Sequence, residues 1–441
     1  MSRRTNILLS SFLLIATASF AGEAYDDWQI NCIIRKDKFR YVLPQAMRNN
    51  NIDMWIIIDK GRGTEPLFRD FGFATSNGSG LFVFTDRGER IEKAQLGGHH
   101  DLAERCGAYD IVGGRLDDLR SFVAERDPEQ IGVNFTTDKE LFPPEGRHLS
   151  NGVSYTDYNN LKATLGEPYA SRLVSAERLI ADFRAQRVAS EVIEFSKIAD
   201  ITRKLEERAL SNEVITPGET TQVDVVWWLE EQRKAMGLER GWRPSVYLSP
   251  PDGVEIWNSD RVVERGDVMQ IDYGIGRNNF FTDIKRFAYV LQDGETEAPD
   301  WVKTAFEESV KVRNIIQENV VAGKTGREQI DNLKRLVEAA GYVYTEEERA
   351  SDVEGIEVNI GMHAAGNLGH DVGASLFEIY PTRTTYEVRP NSIISVEFIV
   401  FTPADEWGGR KVPVNIEENA LITDHGIEWL VPTQNEVLVI R

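Results

Sequence analysis

The sequence predicts two folded domains, an α/β domain in the N-terminal third and an α+β domain in the remainder. Short apolar runs bounded by Gly, Asp and Asn alternate with helix-like segments before residue 168. Long helical patterns and then strand-rich sequence follow it. A chain of 441 residues is also longer than a typical single domain with one hydrophobic core. We therefore expect domains at 22–167 and 168–441.

The first 21 residues have the pattern of an export signal. Arg3 and Arg4 give a positive start, Ile7–Ala18 is apolar, and 19–21 resembles a small-residue cleavage site. The apolar run is shorter than the roughly 20 residues that a membrane-spanning helix needs. We expect cleavage before Gly22, a periplasmic or secreted protein, and no membrane anchor after cleavage. The arginine pair leaves both the general and the twin-arginine export routes open.

The N-terminal elements follow from local patterns. We predict a helix over 41–50, strands over 54–59 and 81–85, an amphipathic helix over 116–126 and a strand over 130–135. Cys32 and Cys106 are the two cysteines of the chain. In an oxidising compartment such a pair forms a disulfide, and the alternative is two separately buried thiols.

The C-terminal elements begin with a helical stretch at 168–210, in which we place the domain join. We then predict helices over 222–236, 301–321 and 327–340 and strands over 268–275, 285–291, 357–362, 393–401, 412–423 and 436–440. Thr325 and Glu328 form a capping box that begins the last helix, and Gly341 ends it. Helices grouped against an antiparallel sheet define an α+β domain.

The charge of the chain restricts its partners. The formal net charge is −21. Such a surface repels phosphate backbones and anionic membranes, so we expect no nucleic-acid partner. Some of the acidic residues, however, lie in places where a solvated surface charge is unusual.

Four acidic residues lie in or beside apolar strand sequence. Asp272 lies in the run 268–275, and Asp283 follows eleven residues later on the same predicted hairpin. Glu397 lies inside 393–401, and Glu417 lies in 412–423. Asp is disfavoured in strands, and carboxylates buried together without partners cost several kcal/mol. A divalent cation would resolve this conflict.

A histidine completes the set. His370 lies in the turn-rich segment 367–373. Carboxylates and an imidazole form a hard ligand set that suits Mn²⁺, Zn²⁺, Co²⁺ or Fe²⁺, and carboxylates can bridge two ions. Each acid alone is typical of a strand-end surface residue. Together, the five residues predict two divalent ions at one site, with Mn²⁺ as the first expectation.

The order of these five residues resembles the pita-bread metallopeptidases, which include aminopeptidase P, prolidase, methionine aminopeptidase and creatinase. Segments 187–191 and 261–290 resemble the lead-in and the first metal hairpin of that catalytic domain. Residues 25–165 resemble the creatinase-type N-terminal domain. Segments 363–370 and 403–409 resemble an atypical bacterial branch. The resemblance implies a creatinase-like N-terminal domain followed by a pita-bread catalytic domain.

The resemblance also implies a role for each ligand. Asp272 would chelate one ion, His370 and Glu397 the other, and Asp283 and Glu417 would bridge both. In the family an activated water attacks the scissile carbonyl, and the residue matching Glu397 transfers its proton. The implied function is hydrolysis of short peptides near the N-terminus, Xaa-Pro peptides included. A homodimer is also an expectation, because many relatives assemble through their N-terminal domains.

Two histidines that usually accompany this site are missing. Family members usually have one of them upstream of the first Asp, in a region where this chain has Trp257, and the other seven residues after the ligand histidine, where this chain has Phe377. Loss of one such donor can lower a rate by roughly 10² to 10³, so we expect weaker turnover. His363, seven residues before His370, is a candidate catalytic substitute. The alternative is a packed or surface histidine.

Two other functions stay open. One is a creatinase-like hydrolase of another small C–N substrate. Creatinase works without metals, so the intact ligand set counts against a close copy of it. The other is a protein that retains metal without turnover, for which the missing histidines are the main support.

Overall fold

The computed structural model describes residues 22–60, 65–72, 80–98, 101–137, 150–249 and 256–441. The predicted export signal at 1–21 lies outside these ranges. Within them, no helix combines the length and the apolar character that a membrane span requires.

The N-terminal domain is a mixed sheet with helices, as predicted. Its strands are β1 (Met54–Asp59), β2 (Gly80–Asp86), β3 (Ile91–Gly97), β4 (Ile111–Val112), β5 (Ile131–Val133) and β6 (Leu173–Ser175). In the described residues the strand order is β4-β3-β2-β1-β5-β6, with β1 antiparallel to β2 and parallel to β5. Its helices are α1 (Glu23–Tyr41), α2 (Leu43–Asn49), α3 (Phe68–Phe71), α4 (Asp101–Cys106), α5 (Leu119–Ala124), α6 (Tyr155–Leu165) and α7 (Glu177–Ala185).

Helix α1 was not predicted from the sequence. Its apolar and charged residues are mixed around the helix, so no amphipathic stripe marks it. It nevertheless buries Cys32, Ile34 and Phe39. A disulfide joins Cys32 to Cys106 at the end of α4, with Cα atoms 5.5 Å apart. This pairing is the first of the two alternatives that the sequence left open.

The chain passes from one domain to the other inside the stretch 168–210, where we placed the domain join, and the first part of that stretch packs with the N-terminal elements. Strand β6 pairs in parallel with β5, and Leu179, Ile180 and Phe183 of α7 are buried in the N-terminal core. The sequence interpretation missed β6 because this strand spans three residues inside a stretch with helical composition. The N-terminal domain therefore includes α7, and the chain crosses over at 186–188.

The C-terminal domain has helices packed against a mainly antiparallel sheet, in which two strand pairs are parallel. Its helices are α8 (Ala189–Ala209), α9 (Gln222–Ala235), α10 (Asp300–Asn319) and α11 (Gly326–Ala339). Its first strands are β7 (Glu239–Arg240), β8 (Ser245–Ser249), β9 (Ile256–Trp257), β10 (Val268–Tyr273), β11 (Ile275–Arg277), β12 (Phe280–Phe281) and β13 (Ile284–Val290). Later strands are β14 (Val343–Tyr344), β15 (Glu357–Ile360), β16 (Met362–Ala364), β17 (Ser375–Leu376), β18 (Ser392–Pro403), β19 (Lys411–Thr423), β20 (Gly426–Trp429) and β21 (Leu438–Ile440).

The central strands of this sheet run in the order β18-β19-β13-β10. Helices α10 and α11 share one buried apolar cluster with β18 and β19, and α8 and α9 share another with β10 and β13. The predicted capping box of Thr325 and Glu328 is present at the start of α11. Three of these strands carry Asp272, Glu397 and Glu417, and Asp283 directly precedes the fourth, β13.

Candidate metal centre

Four charged side chains form one row across the central strands. Asp272 on β10 lies opposite Lys285 on β13, Lys285 lies opposite Glu417 on β19, and Glu417 lies opposite Glu397 on β18. Directly opposed residues in antiparallel strands have Cβ atoms about 4.5–5.5 Å apart. The strand register therefore gathers residues that span 146 positions of the chain, from 272 to 417.

Two histidines and Asp283 close the site beside this row. The rings of His363 and His370 stack with centroids 3.9 Å apart. His363 Nε2 lies 3.5 Å from Glu417 Oε1 and 3.7 Å from both Asp283 Oδ2 and Glu397 Oε2. His370 Nε2 lies 3.4 Å from Asp283 Oδ2. All five predicted ligands thus converge, and His363 is a buried member of the cluster.

Local packing holds His370 and Asp283 in place. The turn before His370 packs against Trp242, and a Cβ on Gly369 would come within 2.3 Å of that ring. The backbone N–H of Asp283 donates to Asn419 Oδ1 at 3.2 Å. The Ser395 hydroxyl donates to the carbonyl oxygen of Asp283 at 3.1 Å. Both contacts come from β18 and β19, so Asp283 is fixed relative to the strands that carry the glutamates.

The donor atoms fit a divalent cation. Asp283 Oδ2, His363 Nε2 and Glu417 Oε1 are buried and have no hydrogen-bond partner among the described residues. Such orphaned polar atoms are costly unless a further partner satisfies them. Tetrahedral bonds of about 2.1 Å place ligand atoms about 3.4 Å apart. The separations of 3.4 to 3.7 Å around His363 and Asp283 agree with that spacing.

Lys285 is a member of this cluster that the sequence interpretation missed. Its ammonium Nζ lies 2.5 Å from Glu397 Oε1, 2.5 Å from Glu417 Oε2 and 3.3 Å from Asp272 Oδ2. The side chain is 5% exposed. A signal was present, since Lys285 follows Asp283 by two residues in a strand whose other members are largely apolar. Its alignment with the acidic residues depended on a register that the sequence did not reveal.

The pKa values in the cluster diverge because burial and neighbouring charges act differently on each group. Burial, with Glu417 and Asp272 nearby, raises the pKa of Asp283 well above its ordinary value. Burial raises the pKa of Glu397 to about 7, although Lys285 opposes the shift. Burial also acts to raise the pKa of Glu417, but Lys285 and His363 outweigh it and hold that pKa below the ordinary value. The neighbouring His363 ring, followed by burial, lowers the pKa of His370.

The cluster opens into a cleft of about 1400 Å³ between the two domains. Phe377 lines this cleft at the position of one missing histidine and offers no hydrogen-bond donor. Trp257 also lines it and packs edge-on against Tyr247, with ring centroids 4.2 Å apart. The Tyr247 hydroxyl donates to Asp272 Oδ2 at 3.1 Å. Tyr380 contacts the open side of His370, with its hydroxyl 3.3 Å from Nδ1.

Comparisons with known proteins agree with this architecture. Metallopeptidase family M24 matches residues 194–424. The Xaa-Pro dipeptidase of Pyrococcus furiosus is 24% identical over 349 residues, which cover 75% of this chain and 89% of that protein. The crystal structure of the X-Pro aminopeptidase from Thermotoga maritima covers 90% of this chain and 99% of its own, with TM-score 0.62 and 17% identity. The Xaa-Pro dipeptidase from Bacillus anthracis covers 92% and 99%, with TM-score 0.60 and 18% identity. These likenesses confirm the predicted two-domain fold.

Proposed function

Because the chain belongs to metallopeptidase family M24, we propose that its cleft hydrolyses short peptides near their N-terminus, Xaa-Pro peptides included. The observation that carries the proposal is the convergence of Asp283, His363 and Glu417 through buried atoms that lack a partner among the described residues. The named Xaa-Pro peptidases among the relatives support the substrate class. A cleft of about 1400 Å³ has room for several peptide residues.

The ligand set supports a divalent cation, with Mn²⁺ as the first expectation and Zn²⁺, Co²⁺ or Fe²⁺ as alternatives. When bound, such an ion lowers the pKa of water towards 7 and polarises a carbonyl group. The sequence-based expectation of two ions stays a prediction, and it depends on whether Lys285 leaves room for the second. The set that surrounds the proposed cation consists of Asp283, His363, His370, Glu397 and Glu417.

We assign proton transfer to Glu397. Its side chain is 21% exposed, whereas that of Glu417 is fully buried, so a substrate in the cleft can reach only the former. A carboxyl group at hydrogen-bond distance can move a proton from the attacking water to the departing amine. His363 is 0% exposed. We therefore propose that His363 contributes by holding the cation and the neighbouring carboxylates, since it cannot donate to the substrate directly.

Aromatic side chains suit the cleft to apolar or proline-containing peptides. Trp242, Phe377 and Tyr380 line it. Apolar walls with a few polar groups are typical of small-molecule sites.

Export of the protein is part of the proposal, supported by the signal-like sequence at 1–21 and by the Cys32–Cys106 bridge. N-terminal sequencing of the protein recovered from a periplasmic fraction should give Gly22, and an intact Met1 would contradict export with cleavage.

The test of function combines metal analysis with a peptide-library digest read by mass spectrometry. We expect cleavage near peptide N-termini that stops in the presence of a chelator and returns with Mn²⁺. Asp283→Ala should lose both bound metal and cleavage. Asp424→Ala is the matched control, because Asp424 is exposed and lies in the turn between β19 and β20, seven residues beyond Glu417. An Asp283→Ala protein as active as the parent would refute the metal mechanism.

A second candidate is a protein that retains metal without turnover. Phe377, which offers no donor where family members usually have a histidine, favours it. The same digest separates the two functions. Intact peptides in the presence of stoichiometric bound metal would support this candidate over the peptidase.

A further inference from the structure

Lys285 occupies the middle of the acidic row. The strand register places Asp272 on one side of it and Glu417 on the other. The Cβ of Lys285 is therefore fixed on the same sheet face as the carboxylates. The strand register therefore directs the Lys285 side chain towards the carboxylates of the cluster.

The ammonium is fully paired inside the cluster. A lysine ammonium has three N–H donors, and Nζ has three carboxylate oxygens within 3.3 Å, one each from Asp272, Glu397 and Glu417. The side chain is 5% exposed. Moving a buried charge away from such partners would leave both the ammonium and the carboxylates without compensation, which is strongly unfavourable.

In each glutamate, one carboxylate oxygen contacts Lys285 and the other faces His363. Glu397 Oε1 pairs with Lys285 Nζ, and Glu397 Oε2 lies 3.7 Å from His363 Nε2. Glu417 gives Oε2 to Lys285, and its Oε1 faces His363 at 3.5 Å. The ammonium thus pairs with one oxygen of each glutamate. The two other oxygens converge on one space together with Asp283 and His370.

A second divalent ion would compete with this ammonium. The atoms of Asp272, Asp283 and Glu417 that lie within 4.8 Å of one another form the position such an ion would take. Lys285 already forms ion pairs with two of these three residues, through Asp272 Oδ2 and Glu417 Oε2. An ion there would stand within a few ångströms of a buried like charge, and this repulsion is weakly screened.

We propose that this protein holds one divalent cation, and that the Lys285 ammonium replaces the second. The ligands of the single ion are the side chains of Asp283, His363, His370, Glu397 and Glu417. This inference rests on the metal site of the proposed function and deepens it. Lys285 thereby keeps Asp272, Glu397 and Glu417 together without a second metal.

The ion count tests the inference without any peptide. Purified protein would be stripped with a chelator, titrated with Mn²⁺ in a calorimeter, and analysed for bound metal by mass spectrometry. We expect one Mn²⁺ per chain, with the electron paramagnetic resonance pattern of an isolated ion. A wild-type count of two, with the signature of a coupled pair, would overturn the inference, and so would a count of zero.

Two variants isolate the contribution of Lys285. Lys285→Ala removes the ammonium and opens its space, so bound Mn²⁺ should rise from about one to about two per chain. Lys285→Arg keeps the charge and serves as the matched control, with a count that stays at one. A folded Lys285→Ala protein that still binds one ion would contradict the assignment. If Lys285→Ala does not fold, the number of Mn²⁺ ions bound per wild-type chain and the electron paramagnetic resonance spectrum of that protein test the inference without the variant.

Failure of this inference is distinct from failure of the proposed function. A protein that binds one ion and cleaves no peptide would leave the ion count intact and refute the peptidase. A protein that cleaves peptides with two bound ions would support the peptidase and refute the single-ion inference.

Discussion

The guanidinium of Arg187 and the carboxylate of Asp371 form a fully buried ion pair, with Nη2 and Oδ2 2.9 Å apart. Arg187 lies where the chain crosses between the domains, and Asp371 directly follows His370 in the sequence. Arg184 adds a second contact to Asp371 at 3.3 Å. Burial alone would raise the pKa of Asp371, but Arg184 and Arg187 outweigh it and hold that pKa below its ordinary value. The position of the ligand histidine is thus tied to the domain crossing.

Removing the charge of Asp371 should destabilise the protein and weaken metal binding. Asp371→Asn removes one of the two carboxylates that pair with the fully buried guanidinium of Arg187 and leaves it only Glu191. Breaking a buried pair in this way costs about 3–5 kcal/mol. Urea unfolding would measure the loss, and Mn²⁺ titration would show lower affinity because His370 is no longer held.

Asp182→Asn is the matched control for that experiment. Asp182 also pairs with an arginine of the other domain, Arg389, but both side chains are 17–20% exposed. Partly solvated pairs contribute about 1 kcal/mol or less. Equal losses of stability in the two variants would contradict the importance that we give to the buried pair.

The disulfide should stabilise the N-terminal domain. Cys32 and Cys106 are separated by 74 positions. Closing a loop of that length lowers the entropy of the unfolded chain and stabilises the fold by about 4 kcal/mol. We expect the Cys32→Ser, Cys106→Ser double variant to unfold at lower urea concentration than the parent. Dithiothreitol should lower the stability of the parent and leave the double variant unchanged. Two free thiols in the parent denatured without reductant would contradict the bridge.

An imidazole at position 377 should raise turnover if the missing donor limits the chemistry. Phe377 lines the cleft beside Glu397, and an added Cβ on Gly361 would meet both side chains at 3.6 Å. A histidine there could donate to the substrate, and one such donor contributes roughly 10² to 10³ in rate. We expect Phe377→His to raise kcat with peptide substrates. Phe377→Leu, which removes the ring without adding a donor, should not.

Unchanged or lower activity in Phe377→His would indicate a pocket shaped for another substrate. His363→Ala then identifies the role of the buried histidine. We expect this variant to lose Mn²⁺ affinity, because His363 Nε2 is one of the orphaned atoms that face the cation. Normal metal binding with altered kcat would instead show that His363 acts in the reaction.

The acidic ligands could be predicted because charged carboxylates are unusual in apolar strand sequence. An acid such as Glu417 in a buried strand has no local explanation, and a shared cation explains several such acids at once. Lys285 was not predicted, since its position in the row depends on the pairing of β13 with β10 and β19. A shift of one residue would turn the lysine to the opposite face. Helix α1 and strand β6 were missed for a related reason, because tertiary packing stabilises them without a strong local pattern.

The stability of the protein should depend on the protonation of one carboxyl group outside the metal site. Burial raises the pKa of Glu65 to about 7 from an ordinary value of 4.5, although hydrogen bonds from Leu67 and Asn134 act to lower it. Both bonds, from the Leu67 backbone N–H and the Asn134 amide, reach Oε1 at 3.1 Å. Oε2 is buried without a hydrogen-bond partner among the described residues. The folded state therefore favours the neutral acid.

The direction of the pH effect follows from this shift. Between pH 4.5 and about 7, the folded protein binds more protons at Glu65 than the unfolded chain does. The free energy of unfolding must then fall as the pH rises through that window, by at most about 3 kcal/mol. Glu65→Gln cannot ionise, so its stability should exceed that of the parent at pH 8 by more than it does at pH 5. Urea unfolding at the two pH values measures this difference, with Glu89→Gln, at an exposed position, as the control. Identical pH dependence in the parent and Glu65→Gln would show that this carboxyl group is not protonated by its burial.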